Sequence, residues 1–142
     1  MIVCIDSSLL VSLYIMDSNS AKAVQRMRTQ PQVWITPLHR CELAHAIHRC
    51  VFRKQFSEFE ARTAWQKFEA DCTNGTWGIF DFSQSTWAMG VHLAQRQGSI
   101  LGMRTLDSLH VACALELQAE RFWTFDERQR RLAEAVGLDT RA

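Results

Sequence analysis

The chain of 142 residues has no C-x-x-C pair, no long apolar run, no excess of either charge and no low-complexity stretch, and each absence narrows its class. Its five cysteines, Cys4, Cys41, Cys50, Cys72 and Cys113, are odd in number and lie mostly inside apolar segments. They read as buried thiols in a reducing compartment and not as a disulfide framework. No apolar stretch approaches the ~18 residues of a membrane span, and Asp6 interrupts the first apolar run before it could serve as a signal-peptide core. The expectation is a soluble, cytoplasmic protein with no membrane partner. A formal net charge of +1 excludes the strongly basic footprint of a dedicated DNA-binding domain and leaves RNA contact to a local patch. The motifs G-x-x-x-x-G-K-[ST], G-x-G-x-x-G and H-E-x-x-H are missing, which sets aside the phosphate, dinucleotide and zinc chemistries they carry.

Hydrophobic residues make up 47% of the chain and charged residues 22%, enough apolar material for one domain over residues 1–142 with its own core. Met1 to Ile5 is short, β-branched and apolar without alternation, which suits a strand buried on both faces of a parallel sheet. A helix through Leu9, Leu10 and Tyr14 follows at once, with Ser7 and Ser8 as its expected caps. Val33 to Ile35 repeats the pattern, with Thr36 as cap and Pro37 as first residue of a helix reaching about Arg53. Ser57 and Glu60 form a capping box for a helix ending at Asn74-Gly75. The remaining elements are a strand from Trp77 to Phe82, a helix from Ser83 to Gln97 closed by Gly98, and a helix from Leu106 to Gln118. A strand from Arg121 to Thr124 and a helix from an Asp126/Gln129 box to Gly137 complete the chain. Short apolar strands alternating with helices describe an α/β domain, whose ligand crevice lies beyond the carboxyl ends of the strands.

Four acids stand where an apolar run ends or a helix turns its buried face: Asp6, Glu42, Asp107 and Asp126. Two carboxylates ~4 Å apart repel by about 4 kcal/mol at an effective dielectric of ~20, so four that converge require a counter-charge. Arg49, seven residues after Glu42, and Arg104, three before Asp107, are possible cationic neighbours, as are His45 and His110 at i+3 from Glu42 and Asp107. Oxygen donors without a Cys/His cluster favour Mg²⁺ or Mn²⁺, and such a site activates water against a phosphodiester. The competing readings are ordinary ones. Asp6 and Asp126 can be helix caps, Glu42 and Asp107 salt-bridged helix residues, His45 and His110 helix-surface imidazoles, and Arg128, Arg130 and Arg131 a solvated face instead of an RNA contact. Paired Glu/His and Asp/His at i, i+3 also suit a di-iron carboxylate helical bundle, which would have no sheet. A non-enzymatic binding module is a third class.

The stretches Val3-Cys4-Ile5-Asp6-Ser7-Ser8, Thr36-Pro37 with Glu42 and Arg49, Arg104 to Ala112, and Thr124-Phe125-Asp126 through Gly137-Leu138 resemble, in order and spacing, a PIN domain of the VapC-type ribonuclease toxins. The resemblance covers essentially the whole chain. It implies a three-layer sandwich with a central parallel sheet flanked by helices, and a Mg²⁺- or Mn²⁺-dependent endoribonuclease that leaves a 5′-phosphate and a 3′-hydroxyl. It also implies that Asp6, Asp107 and Asp126 hold metal, that Glu42 positions a second ion or the attacking water, and that Ser8 and Thr124 steady the acids. Arg49 and Arg104 enter as supports. The further implications are a homodimer and a cognate antitoxin seated in a groove near the site, with Phe56, Phe59 and Trp65 as anchors. Glu127, which follows Asp126, is expected to complement the first helical turn more than to act as a fifth ligand. An RNA-processing PIN nuclease without a toxin role would carry the same motifs.

Overall fold

Two helices follow each of the first three strands and one follows the last in the computed structural model, which describes residues 1–142. The order is β1 (Ile2–Ile5), α1 (Ser7–Tyr14), α2 (Ser20–Met27), β2 (Gln32–Ile35), α3 (Pro37–Phe52), α4 (Glu58–Thr73) and β3 (Trp77–Ile79). It continues with α5 (Gln84–Leu101), α6 (Thr105–Glu116), β4 (Arg121–Trp123) and α7 (Glu127–Ala135). The four strands pair in parallel in the order β3-β2-β1-β4. The sheet excludes the di-iron bundle.

Alternation along the strands divides the core into two layers. Val3 and Ile5 of β1, with Val33, Ile35 and Trp123, face Leu9, Leu10, Leu43, Ile47 and Phe68 from α1, α3 and α4. Cys4 and Phe122 point the other way, to Leu93, Val111, Ala112 and Leu132 of α5, α6 and α7. The sheet is therefore the middle of three layers. Small residues let α6 lie close against the sheet: it is buried without a break from Asp107 to Ala114. This rigid seating fixes the acid at its start.

Strand order makes β1 the switch point, because β2 and β3 extend the sheet on one side and β4 on the other. Ile5 pairs with Trp123, and the Asp6 N–H donates to the Trp123 carbonyl at 3.2 Å, so the register carries Asp6 alongside Thr124 just past both strand ends. A crevice at that point is where open α/β sheets bind ligands.

Several local expectations are corrected. Asp6, not the serines, caps α1, its Oδ1 accepting from the Leu9 N–H at 3.0 Å, and Ser7 and Ser8 begin the helix with hydroxyls free for other partners. α2 had no counterpart in the sequence pattern, since the segment is mainly polar and buries little beyond Ser20 and Ala23. β3 stops at Ile79, because β2 ends at the Ile35 partner and Phe80 makes the last bond to it. Helix α5 runs through Gly98 to Leu101, which packs on the α5–α7 core, and ends at Gly102 in the left-handed conformation, φ 64°. Cys41 is exposed and Cys50 and Cys72 are half-buried, so only Cys4 and Cys113 are the buried thiols expected.

Candidate active site

Asp6 is the most deeply placed of the acids, 1% exposed. While Oδ1 caps α1, Oδ2 accepts from Thr124 Oγ1 at 2.6 Å, Ser8 Oγ at 2.7 Å and Gln129 Nε2 at 3.4 Å. Burial pushes its carboxyl above the ordinary carboxylate range despite these bonds and the charge of His110. A buried carboxylate so placed gains from a cation. Thr124 joins the two strand ends by also accepting the Asp126 N–H at 2.9 Å.

Asp107 sits at the third position of α6, where Oδ2 accepts from both the backbone N–H and Nε of Arg104, each at 3.3 Å, and Oδ1 accepts from Gln129 Nε2 at 3.2 Å. Asp126 caps α7 through Oδ1, at 3.0 Å from the Gln129 N–H. The expected box does not close: the Gln129 side chain turns away from Asp126 to Asp6 and Asp107.

Glu42 projects from α3, where Ser7 Oγ and His110 Nε2 both contact Oε1 at 2.8 Å. A carboxylate only accepts, so Nε2 of His110 carries a proton. Burial acts to raise the Glu42 carboxyl, and the bonds from His110 and Ser7 with the charges of His110 and Arg104 outweigh it, leaving it below its ordinary value. His110 is 2% exposed. It is thus the partner of Glu42 and not a helix-surface imidazole. Arg49 and His45 are exposed and make no ion pair with Glu42, against the expectation from their spacing.

His39, which belongs to none of the sequence motifs, ties the frame of the site together. Its Nδ1 accepts the Thr36 N–H at 3.0 Å, completing an α3 capping box usually built with Glu or Gln, so Nε2 bears the hydrogen donated to the Ile5 carbonyl at 2.8 Å. Burial, then the adjoining His110 ring with centroids 4.4 Å apart, holds its imidazole well below the ordinary range and therefore neutral. The end of β1 and the start of α3 are locked to each other one residue from Asp6.

All four acids line one cleft of about 270 Å³, with Ser7, Ser8, Asn19, Arg104, His110 and Gln129. The sequence signal for His110 was its place three residues after Asp107 on a buried helix, whereas nothing in spacing marked Gln129 as more than a capping partner. Glu127 pairs outward with Arg130 and Arg131, and so is not a fifth acid of the cleft. No three His, Cys, Asp or Glu side chains are drawn in to the spacing that encloses a metal ion. The donor chemistry nevertheless fits a hard divalent cation, since the cleft offers carboxylate, hydroxyl and amide oxygens, one acid raised by burial and no thiolate.

The cleft continues over α1 and α3 into a groove that passes Val11, Ala46 and Arg49 to Ile15, Met16, Cys50 and Phe56. Phe59 is 69% exposed outside it, and Trp65 packs on Phe68 with ring centroids 5.1 Å apart, so of the three expected anchors only Phe56 lines the groove.

A sequence model of the PIN domain family matches residues 3–135. No curated protein matches the chain. Among solved structures, FitAcB from Neisseria gonorrhoeae superposes with a TM-score of 0.75 at 12% identity, covering 99% of this chain and 96% of that one. Mycobacterium tuberculosis VapC20, described as a Sarcin-Ricin loop cleaving toxin, gives 0.69 at 14% identity over 96% and 95%. Rickettsia felis VapBC2, bound to a DNA fragment from its promoter, gives 0.68 at 14% over 99% and 98%. At these identities the likeness is one of fold.

Proposed function

This chain belongs to the PIN domain family, and from that premise we propose that it is a Mg²⁺- or Mn²⁺-dependent endoribonuclease, the toxin of a toxin–antitoxin pair. The observation that carries the reading is the convergence of Asp6, Glu42, Asp107 and Asp126 from four separate elements into one cleft at the sheet's switch point. Asp6, Asp107 and Asp126 are the residues that would hold the cation. A bound divalent cation supplies water at a lowered pKa and neutralises charge on a phosphate oxygen. Glu42, fixed by His110 and Ser7, orients the attacking water. Ser8 and Thr124 hold Asp6 in place, Arg104 holds Asp107, and exposed Arg49 contacts RNA phosphate along the groove. Attack at phosphorus with departure of the 3′-oxygen gives a 5′-phosphate and a 3′-hydroxyl.

The groove leading from the cleft to Phe56 suits an apolar antitoxin segment that ends against the acids and shuts out RNA. A structural neighbour from Klebsiella pneumoniae is likewise a toxin–antitoxin complex. The protein acts in the cytoplasm as a homodimer; no helix is long and apolar enough to cross a membrane.

Purified, partner-free protein should cleave a mixed RNA pool with Mg²⁺ or Mn²⁺ and not with EDTA, and Asp107→Asn should lose roughly 100-fold or more of the rate. Metal-independent cleavage, or a variant as active as its parent, would reject the mechanism. Growth arrest on expression without an antitoxin separates the toxin from an RNA-processing nuclease of the same fold.

A further inference from the structure

We propose that Gln129 is a positioning residue of the acidic cleft, a latch whose side-chain amide bridges Asp6 and Asp107 while no cation is bound and releases both when one enters. The inference rests on the cation-dependent reading of the cleft and adds a neutral residue to it.

Gln129 lies on the first turn of α7 and is 5% exposed. Its Nε2 stands 3.2 Å from Asp107 Oδ1 and 3.4 Å from Asp6 Oδ2. Carboxylates accept and do not donate, so the amide must present its two N–H groups to them. That orientation leaves Oε1 buried with no hydrogen-bond partner, an arrangement rare for a native amide. Helix capping does not require it, because Asp126 caps α7 through the Gln129 backbone N–H, leaving the side chain free of that task.

Two N–H dipoles between two acids do weakly what a divalent cation does strongly: they hold together carboxylates that otherwise repel. Asp6 follows β1 and Asp107 opens α6, so the amide is the one group bonded to both. A cation drawing the same oxygens must displace it. Displacement frees Oε1 from its unpartnered position, and the amide can turn that neutral oxygen toward the cleft. The latch and the cation therefore compete, and apparent cation affinity is set partly by the fraction of molecules that are unlatched.

The test is a Mg²⁺ titration of the ¹⁵N-labelled full chain, with the Gln129 side-chain NH₂ signals assigned by their loss in Gln129→Leu. Expected are side-chain signals that shift in step with the backbone amides of Asp6 and Asp107, and a Gln129→Leu protein that binds Mn²⁺ about threefold or more tighter than its parent. A Gln129 side chain that stays unmoved while those backbone signals shift would overturn the latch and leave the cation reading intact. Equal or weaker Mn²⁺ binding by Gln129→Leu would do the same. If neither metal perturbs any signal around the cleft, the cation reading falls and the latch with it. Should Gln129→Leu fail to fold, Gln129→Met supplies the assignment and the affinity.

Discussion

Tyr14 is the single tyrosine of the chain; its hydroxyl donates to Asp71 Oδ2 at 2.5 Å and accepts from Trp77 Nε1 at 2.9 Å. Burial, then the bond to Asp71, pushes its ionisation above the ordinary value near 10. Below pH ~10 the phenol is protonated in both folded and unfolded chains, and the contribution is whole. At higher pH the unfolded chain ionises first, so stability falls as pH rises. An absorbance titration of the phenolate should show one step displaced well above pH 10 and coincident with loss of structure by circular dichroism; a step near 10 in the folded protein would contradict the buried pair. His39 gives a second residue-scale prediction. Replacing it by Phe strands the buried Ile5 carbonyl and Thr36 N–H, each costing about 1–3 kcal/mol, so denaturant midpoints should drop by an amount corresponding to roughly 2–6 kcal/mol. The distant partners could not be read locally: Tyr14 meets Asp71 and Trp77 across 57 and 63 residues, and His39 meets Ile5 across 34, while only its bond to the Thr36 N–H spans three.

Glycines in two elements make opposite predictions. In β3, a Cβ on Gly78 would lie 2.6 Å from the Trp34 ring, so the indole of β2 seats directly on the bare backbone of the neighbouring strand. Gly78→Ala should destabilise by about 1–3 kcal/mol through overpacking. In α5, Gly98 is helical with nothing within 4 Å of its Cβ position, and Gly98→Ala should stabilise by roughly 0.5–1 kcal/mol by removing backbone freedom from the unfolded chain. Urea unfolding of the pair would show shifts of opposite sign. The same helix explains a misplaced boundary. Glycine is a frequent helix terminator, yet Leu101 and Met103 gain core contacts by one further turn, and tertiary packing outweighs the local preference at Gly98. Ser57 and Glu60, by contrast, form their box as expected, since a capping box needs only residues three apart.

At the scale of the molecule, the exposed apolar face of α5 carries Trp87 and Val91, 52% and 58% exposed, beside a hollow of about 350 Å³ shared with the start of α6. A homodimer formed through that face would be converted to a monomer by Trp87→Asp, read by sedimentation equilibrium with an unchanged circular dichroism spectrum; a dimer that persists would place the contact elsewhere. Readable from the sequence were the succession of apolar strands and helices, hence the parallel α/β sheet, the position of Asp6, Asp107 and Asp126 at an element's start or end, and that of Glu42 on the second turn of its helix. These are local matters of side-chain pattern and capping, set within a few residues. The tertiary structure alone decided which residues attend the acids. Pairing β1 with β4 sets Asp6 beside Thr124, burying α6 turns His110 onto Glu42 and away from solvent, and docking α7 swings Gln129 from its own cap to Asp6 and Asp107. Arg49 and His45 share the groove over α3 with Glu42 yet form no pair with it, because packing brings His110 of α6 and Ser7 of α1 onto its Oε1 instead.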